Sequence, residues 1–309
     1  MAVYPNATGI PDLKAQNWIP TLFASKIQRE LYEWLVANQI TNTDYQGDFS
    51  KHGDTINIPI LPDANMRPYD IGQNIIYDDP SPSYVQMLID QGVYWAFNVH
   101  DVNVKQSHIN FPPALVEHYT RRAAENIDAA LLAYAPGQVH ASNTGATAGA
   151  DSGNINLGVA GAPFSATSAN LEEFVANCAI VLDEQKAPRE GRYFVVPPWM
   201  QWRLALSDIA DSSKMGGGVS SERNGKIGMV AGFTFYVSSQ LTVTADAIGS
   251  NAWSCVFGHK SGLSFAQQLS KVQKVTAEFQ FAERHRALIV YGRKMVEPRV
   301  VGRAYVMQG

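Results

Sequence analysis

Cysteine is nearly missing from this chain: only Cys178 and Cys255 occur in 309 residues. Both lie in apolar stretches, which reads as two reduced, buried thiols and not as a disulfide framework. Long hydrophobic runs are absent as well. No stretch approaches the roughly 18 apolar residues of a membrane span, and the N-terminus has no signal-peptide core. A positive charge excess is also lacking, with 24 Lys and Arg against 28 Asp and Glu. That balance gives no global case for gripping nucleic acid. The expectation is a protein made in a cytoplasm, without membrane contact, whose 46% apolar content is ample for a core.

Catalytic signatures are missing in the same way. There is no GxSxG elbow, no GxxxxGK loop, no GxGxxG, no HExxH and no CxxC. The histidines (His52, His100, His108, His118, His140, His259 and His285) are scattered singly, without ligand spacing on a helix face or hairpin. His100-Asp101 could be a base with its orienting carboxylate, but neighbours on a strand point to opposite faces. Asp151, Asn154 and Asn156 alternate as in a calcium loop, yet the terminal bidentate Glu is missing. Gly225-Lys226-Ile227-Gly228 resembles a piece of a phosphate loop and is better explained as a tight turn before a strand. No catalytic, cofactor or metal site is expected.

What is present is an unusual stretch from Asp44 to Asp101. It holds nine Asp and no Glu, against only Lys51 and Arg67. Alternating apolar positions run through Thr55–Ile60 and again from Tyr84 to Val99. Between them, Pro62 to Pro82 is rich in Pro, Asp and Asn and cannot bury much. This predicts a long two-stranded ribbon with a polar tip, marginal in isolation and therefore resting on a neighbouring molecule.

Residues 1–17 read as an arm, and Pro20 opens a helix with Leu22, Phe23, Ile27, Leu31, Trp34 and Leu35 on one stripe. A second helix starts at Pro112, with Leu115, Tyr119, Ala123, Ile127 and Leu131 recurring every four residues. Gly137 to Thr167 reads as a long surface loop. Ser168 or Asn170 is expected to cap a helix running through Leu182, with Glu173 three residues after Asn170 as in a capping box. Tyr193–Val196 reads as a buried strand, followed by a helix at 199–206. Met215–Gly218 reads as a loop tip. Strands are expected at 229–238, 253–257, 275–281 and 287–291. From Lys260 to Arg303, nine Lys or Arg face three Glu and no Asp. An acidic arm and a basic C-terminal segment are complementary surfaces, either neutralising each other within one chain or pairing between copies.

The order of these parts resembles the major capsid proteins of tailed phages, the Hong Kong ninety-seven fold family. The resemblance is carried by Trp18-Ile19-Pro20 and its helix, Asp44-Tyr45-Gln46-Gly47, His52-Gly53-Asp54-Thr55-Ile56-Asn57-Ile58, and Phe97-Asn98-Val99-His100-Asp101-Val102 with Gln106-Ser107. It continues in the helix from Pro112, in Tyr193–Pro198, in Gly225–Ser238 and in Tyr291–Pro298, and so spans almost the whole chain. It implies an α+β fold in four parts: an N-terminal arm and first helix (1–45), an extended loop (46–105), a peripheral domain with a long spine helix (106–170 and 263–309), and an axial domain (171–262). Within the last, the 215–222 loop would lie near the capsomer centre.

The implied role is a shell subunit forming pentamers and hexamers around double-stranded DNA, without sequence-specific binding, found in the virion. A separate scaffolding protein, a portal and a decoration protein are the implied partners. An encapsulin-type compartment around protein cargo, or an oligomeric enzyme with a dispersed site, are the alternatives. The acidic loop offers only Lys51, with Lys105 at its root, and residues 260–309 contain no Asn; no covalent cross-link between subunits is expected. The intersubunit contact candidates are Asp70, Asp78 and Asp79 on the ribbon, and Arg293, Lys294 and Arg299 on the basic segment.

Overall fold

The computed structural model describes residues 35–45, 55–62, 64–79, 81, 83–106, 112–205, 229–246 and 250–309. The expected arm and most of the first helix, the 215–222 loop and the Gly225–Gly228 turn lie outside these residues. Two sheets and a long helix organise the rest.

After a short helix α2 (Asp101–Gln106), the long helix α3 (Pro112–Tyr134) begins at a proline, whose missing N–H is no loss in a first turn. Its 23 residues span about 35 Å at 1.5 Å per residue. Ala123, Ile127, Leu131 and Leu132 are buried along one side. That side covers one face of a three-stranded antiparallel sheet ordered β10 (Leu263–Thr276), β11 (Ala282–Met295), β3 (Gln91–His100). Phe97 is central to the contact, stacking on Tyr119 of the helix at 4.9 Å and on His285 of β11 at 5.1 Å. Trp95 and Val99 are buried while Tyr94 is exposed, the period of two that a strand covered on one face requires.

The second sheet has seven strands, ordered β4 (Phe164–Ala166), β12 (Val301–Gln308), β9 (Asn251–His259), β5 (Arg192–Val196), β7 (Phe233–Val237), β6 (Met229–Val230). A short β8 (Val243–Ala245) pairs with the start of β9. Every residue of β5 is buried, Arg192 included, and the apolar run Tyr193–Val196 is what a central strand requires. Helix α4 (Leu171–Glu184) buries Phe174, Val175, Cys178, Val181 and Leu182; helix α5 (Pro198–Ala205) follows β5. This sheet joins β5, β7 and β9 to β4 and β12, so the part boundary expected at residue 263 runs through it.

Several local expectations need correction. Residues 137–167 are not a plain surface loop: Asn143, Ala148, Leu157 and Ala166 are fully buried. The Asn143 amide donates to the carbonyls of Arg299 and Val301, at 2.6 and 3.0 Å, and the Tyr305 N–H donates to the Leu157 carbonyl. Small side chains here let backbone approach backbone, so the segment packs with few bulky apolar groups. Asn170 makes no capping bond. Its amide instead ties Thr167 N–H and Ser165 C=O together, a local turn that competes with capping. The strand expected at 275–281 is the end of β10 and the turn after it, which leaves Phe279 and Phe281 exposed. The segment expected at 229–238 is a hairpin, β6 and β7, turning at Ala231-Gly232.

The residues before the ribbon are held between the long helix and β10. A short helix α1 (Ala37–Ile40) has its first turn capped from a distance: Asp128 Oδ1 accepts the N–H groups of Val36 (3.2 Å) and Ala37 (2.7 Å). Asn42 then bridges to β10 through two backbone bonds, N–H to Leu263 C=O and C=O from Phe265 N–H.

Three carboxylates set opposing pH trends. Burial raises Asp128, and its two backbone bonds do not offset this. At Asp183 the desolvation is outweighed by the Arg192 guanidinium, with Arg189 beside it, and the carboxyl is held below the usual range. Glu184 is lowered by backbone N–H groups, that of Asp151 foremost. Lowered groups contribute stability above their unfolded values, 3.8 and 4.5, and lose it as pH falls through the folded ones. Asp128 has the opposite sign: its contribution fades as pH rises through its raised value. Urea unfolding should therefore show stability falling below about pH 4.5, and Glu184→Gln should flatten that slope. A variant with the wild-type slope would exclude Glu184 as a source.

Candidate intersubunit surface

The ribbon begins as a six-residue antiparallel ladder between β1 (Thr55–Ile60) and β2 (Ser83–Leu88), in register Thr55↔Leu88 to Ile60↔Ser83. Its base has a small cluster of its own, Ile58 and Met87 packing with Ala266 of β10, with Tyr45, Ile56, Ile89 and Val296 around it. The expected single strand from Tyr84 to Val99 is divided at Ile89-Asp90: β2 stays in the ribbon and β3 enters the three-stranded sheet. The base therefore leans on its own chain.

The outer part has no such support among the described residues. Residues 61–81 carry no ladder of their own, and every described residue there is exposed. Continuing the β1–β2 register outward sets Arg67 opposite Ile76, which is where Arg67 Nη1 donates to the Ile76 carbonyl at 2.8 Å. Arg67 Nη2 also pairs with Asp78 Oδ1 at 2.5 Å. The apex is a turn from Asp70 to Gln73, closed by Gln73 N–H to Asp70 C=O. Gly72 has φ +95° there, at the third position, where a type II turn requires positive φ. Eleven residues from Ile60 to Ile71 reach up to ~35 Å beyond the ladder at about 3.3 Å each.

The tip departs from its expected polar character. Leu61, Met66, Tyr69, Ile71, Ile75, Ile76 and Tyr77 are all largely exposed, Met66 at 89% and Tyr77 at 87%. A projecting arm with this many bare apolar side chains is an interaction surface and not solvated filler. Composition hid these residues, because Pro, Asp and Asn dominate the same stretch. Their signal was the lack of any periodic stripe against which they could pack.

The six charged candidates separate. The carboxylates of Asp70 and Asp79 have no partner among the described residues, whereas Asp78 is tied to Arg67. Arg293 faces inward: it donates to the Ala130 carbonyl and lies over the Tyr134 ring at 4.7 Å, bracing β11 against the long helix. Arg299 sits 3.8 Å from Glu297. Lys294 lines an open groove of about 610 Å³ between the ribbon base and the end of β11. Among the described residues no ion pair joins the tip carboxylates to the C-terminal cations. Among the described residues, then, no contact neutralises one block with the other.

Chemistry of other kinds has little footing. Among the described residues no three His, Cys, Asp or Glu side chains group as metal ligands, and no helix there is long and apolar enough to cross a membrane. Asp151, read against a calcium loop, offers its N–H with that of Ser152 to Glu184 Oε2, and Asn156 Oδ1 accepts from Gly158 N–H. Those side chains do not converge.

Comparison with known proteins places this architecture. A structure from Mycobacterium phage Che8 superposes with a TM-score of 0.74 at 24% identity, covering 93% of this chain and 97% of that one. The capsid of the cyanophage P-SCSP1u gives 0.69 at 14% identity, with 95% and 94% covered. The capsid of Ralstonia phage GP4 gives 0.65 at 13%, with 100% and 99% covered. No curated protein sequence matches the chain. The profile of a family described as phage capsid protein matches residues 113–280, which is 168 of the 309 residues and runs from the long helix through β10. The chain belongs to the phage capsid protein family, and its fold is that of the phage capsid subunits it superposes on.

Proposed function

We propose that copies of this chain form pentamers and hexamers that close into an icosahedral shell around the double-stranded DNA of a tailed phage. The observation that carries this is the arm tip: seven large apolar side chains held out by an ordered ribbon and left exposed, with nothing among the described residues to cover them. A closed shell needs heterologous contacts that repeat around a ring and then join rings. An arm that overlaps its neighbour adds interface without enlarging the core. Obligate interfaces of this kind bury roughly 2,000–5,000 Å², and much of the gross gain is offset by ordering. Assembly then stays correctable until many contacts close at once. The net charge of −4 supports a lumen in which packaged DNA slides, since phosphate grip scales with Lys and Arg.

The division into arm, ribbon, peripheral part and axial part belongs to this proposal, with the long helix and three-stranded sheet as the peripheral body and the seven-stranded sheet as the axial one.

Electron microscopy of the purified chain, with analysis of what co-purifies, tests the reading. Uniform hollow particles whose contents include nuclease-protected DNA are expected. Particles filled with a protein cargo would shift the role to a compartment, and a chain that stays monomeric at high concentration would end the shell reading.

A further inference from the structure

This inference rests on the shell reading and assigns a role to Arg67, the only Lys or Arg between Lys51 and Lys105. The ribbon keeps one register from base to apex. Its ladder runs from Thr55↔Leu88 to Ile60↔Ser83; carried outward unchanged, that pairing sets Asp70 opposite Gln73, the pair that closes the apex. The closure there is double. Gln73 N–H donates to Asp70 C=O at 3.0 Å, and Asp70 N–H donates to Gln73 Oε1 at 3.2 Å. Neither limb has gained or lost a residue between the two ends.

The register survives over that span without a ladder, and the sequence supplies the reason. Pro62 and Pro68 in one limb and Pro80 and Pro82 in the other have no N–H to offer, so a continuous ladder cannot form. Among the described residues of 61–81, no backbone bond crosses between the limbs except the one at the apex. The cross-limb bonds that remain between ladder and apex are those of one side chain: Arg67 Nη1 to the Ile76 carbonyl and Nη2 to Asp78 Oδ1. A planar guanidinium holds two acceptors at once in a fixed fork, which an ammonium on a flexible stem does not reproduce.

We propose that Arg67 is a positioning residue for assembly: its guanidinium clasps the two limbs of the arm before docking, so that the tip meets a second copy as one preformed element. Asp78 is its partner in that clasp and not a contact to the neighbouring copy. Limbs that fray must be ordered in the docking step, where each residue adds a backbone entropy cost. The apparent affinity then falls in proportion to the fraction of chains whose tip is formed. Folding is untouched, because the clasp lies beyond the ladder and its two side chains are 42% and 41% exposed.

The test is the rate of particle formation, followed by light scattering, beside the unfolding midpoint of the unassembled chain. Arg67→Ala should slow assembly about three- to tenfold, the size expected of an exposed ion pair with one further hydrogen bond, and leave the midpoint in place. Asp78→Ala should slow it by a similar or smaller factor, and the double variant should be no slower than Arg67→Ala, because both changes break one clasp. A clasp of different chemistry should then substitute for the first. Asn65 and Asp78 are opposite in the continued register, so Arg67→Ala with Asn65→Cys and Asp78→Cys should return to within about twofold of the wild-type rate when oxidised with glutathione disulfide, and stay slow when reduced; the native thiols are buried. If wild-type particles form and Arg67→Ala assembles at the wild-type rate, the clasp is overturned and the shell reading stands. Multiplying effects of Arg67→Ala and Asp78→Ala, an oxidised chain no faster than the reduced one, or cysteines that do not couple overturn it as well. A wild-type chain that makes no particles removes the shell reading itself.

Discussion

Replacing Ile71, Ile75 and Ile76 with serine leaves the unfolding midpoint of the isolated chain unchanged and abolishes particle formation. The reasoning is a difference between two states. These side chains are already largely bare in the folded chain, Ile71 fully and Ile75 and Ile76 by two thirds, so folding buries little of their surface and their removal costs folding little. Docking, by contrast, would take them out of water. Full burial of an isoleucine is worth about 1.5–3 kcal/mol, so three of them amount to roughly 5–9 kcal/mol of gross gain per contact. Ordering offsets part of this, but about 1.4 kcal/mol is a factor of ten in affinity, and each subunit makes the contact once. Calorimetry of the monomer and sedimentation of the assembled material check the two halves separately. A midpoint lowered by more than about 5 °C, or particles at normal yield, would show that the tip has another role.

The second large effect is expected at Gly292. This residue lies in β11 where the end of β2 crosses it. A Cβ there would sit 2.4 Å from the Leu88 carbonyl oxygen and 3.1 Å from its carbon, with Ile89 Cα at 3.2 Å. All three atoms are backbone, so no side chain can swing aside. Gly292→Ala should cost about 3 kcal/mol, at the upper end of overpacking in a tight site, and lift the ribbon base away from β11. Gly92, in the adjoining strand, provides the control. Its added Cβ would meet nothing closer than 4.0 Å, so Gly92→Ala should be neutral or slightly stabilising, since alanine loses less backbone freedom on folding. Urea denaturation of the two variants makes the comparison; equal midpoints would mean that the contact at Leu88 yields without strain.

A third expectation concerns Arg192, which is only 3% exposed. Its guanidinium donates to the carbonyls of Pro188 (2.7 Å) and Ala187 (2.8 Å) and to Asp183 (2.6 Å). Arg192→Met keeps the bulk but leaves those carbonyls without their donor, while Asp183, 35% exposed, retains Arg189 at 3.0 Å. A loss of about 2–3 kcal/mol is expected, because a buried acceptor stripped of its donor keeps its desolvation penalty. A shift under about 1 kcal/mol in the denaturation midpoint would show that water or Arg189 takes over.

Those expectations divide along the same line as the legibility of the chain. The helix from Pro112 could be read directly, because its apolar stripe and its opening proline are local signals. The buried run Tyr193–Val196 was equally plain. The ribbon was legible as an alternation with a Pro-rich interval, and its exposure followed from having no stripe to pack on. The 137–167 segment was misread, since its burial depends on small residues meeting backbone from the far end of the chain, such as Arg299 and Tyr305. Nothing local records that encounter. Of the contact candidates, Asp70 and Asp79 stand out in composition, whereas the partners of Arg293 and Arg299 within their own chain are visible only in the fold.

Alternation, helical spacing and charge blocks are properties of neighbours along the chain, and so the strands, the long helix and the acidic projecting segment were set by residue order alone. Which cations are engaged inside the subunit depends on residues more than a hundred positions apart meeting in space, as Arg293 and Ala130 do. That was decided by tertiary structure, because a side chain's partners are chosen by the packing of the sheets and not by its place in the sequence.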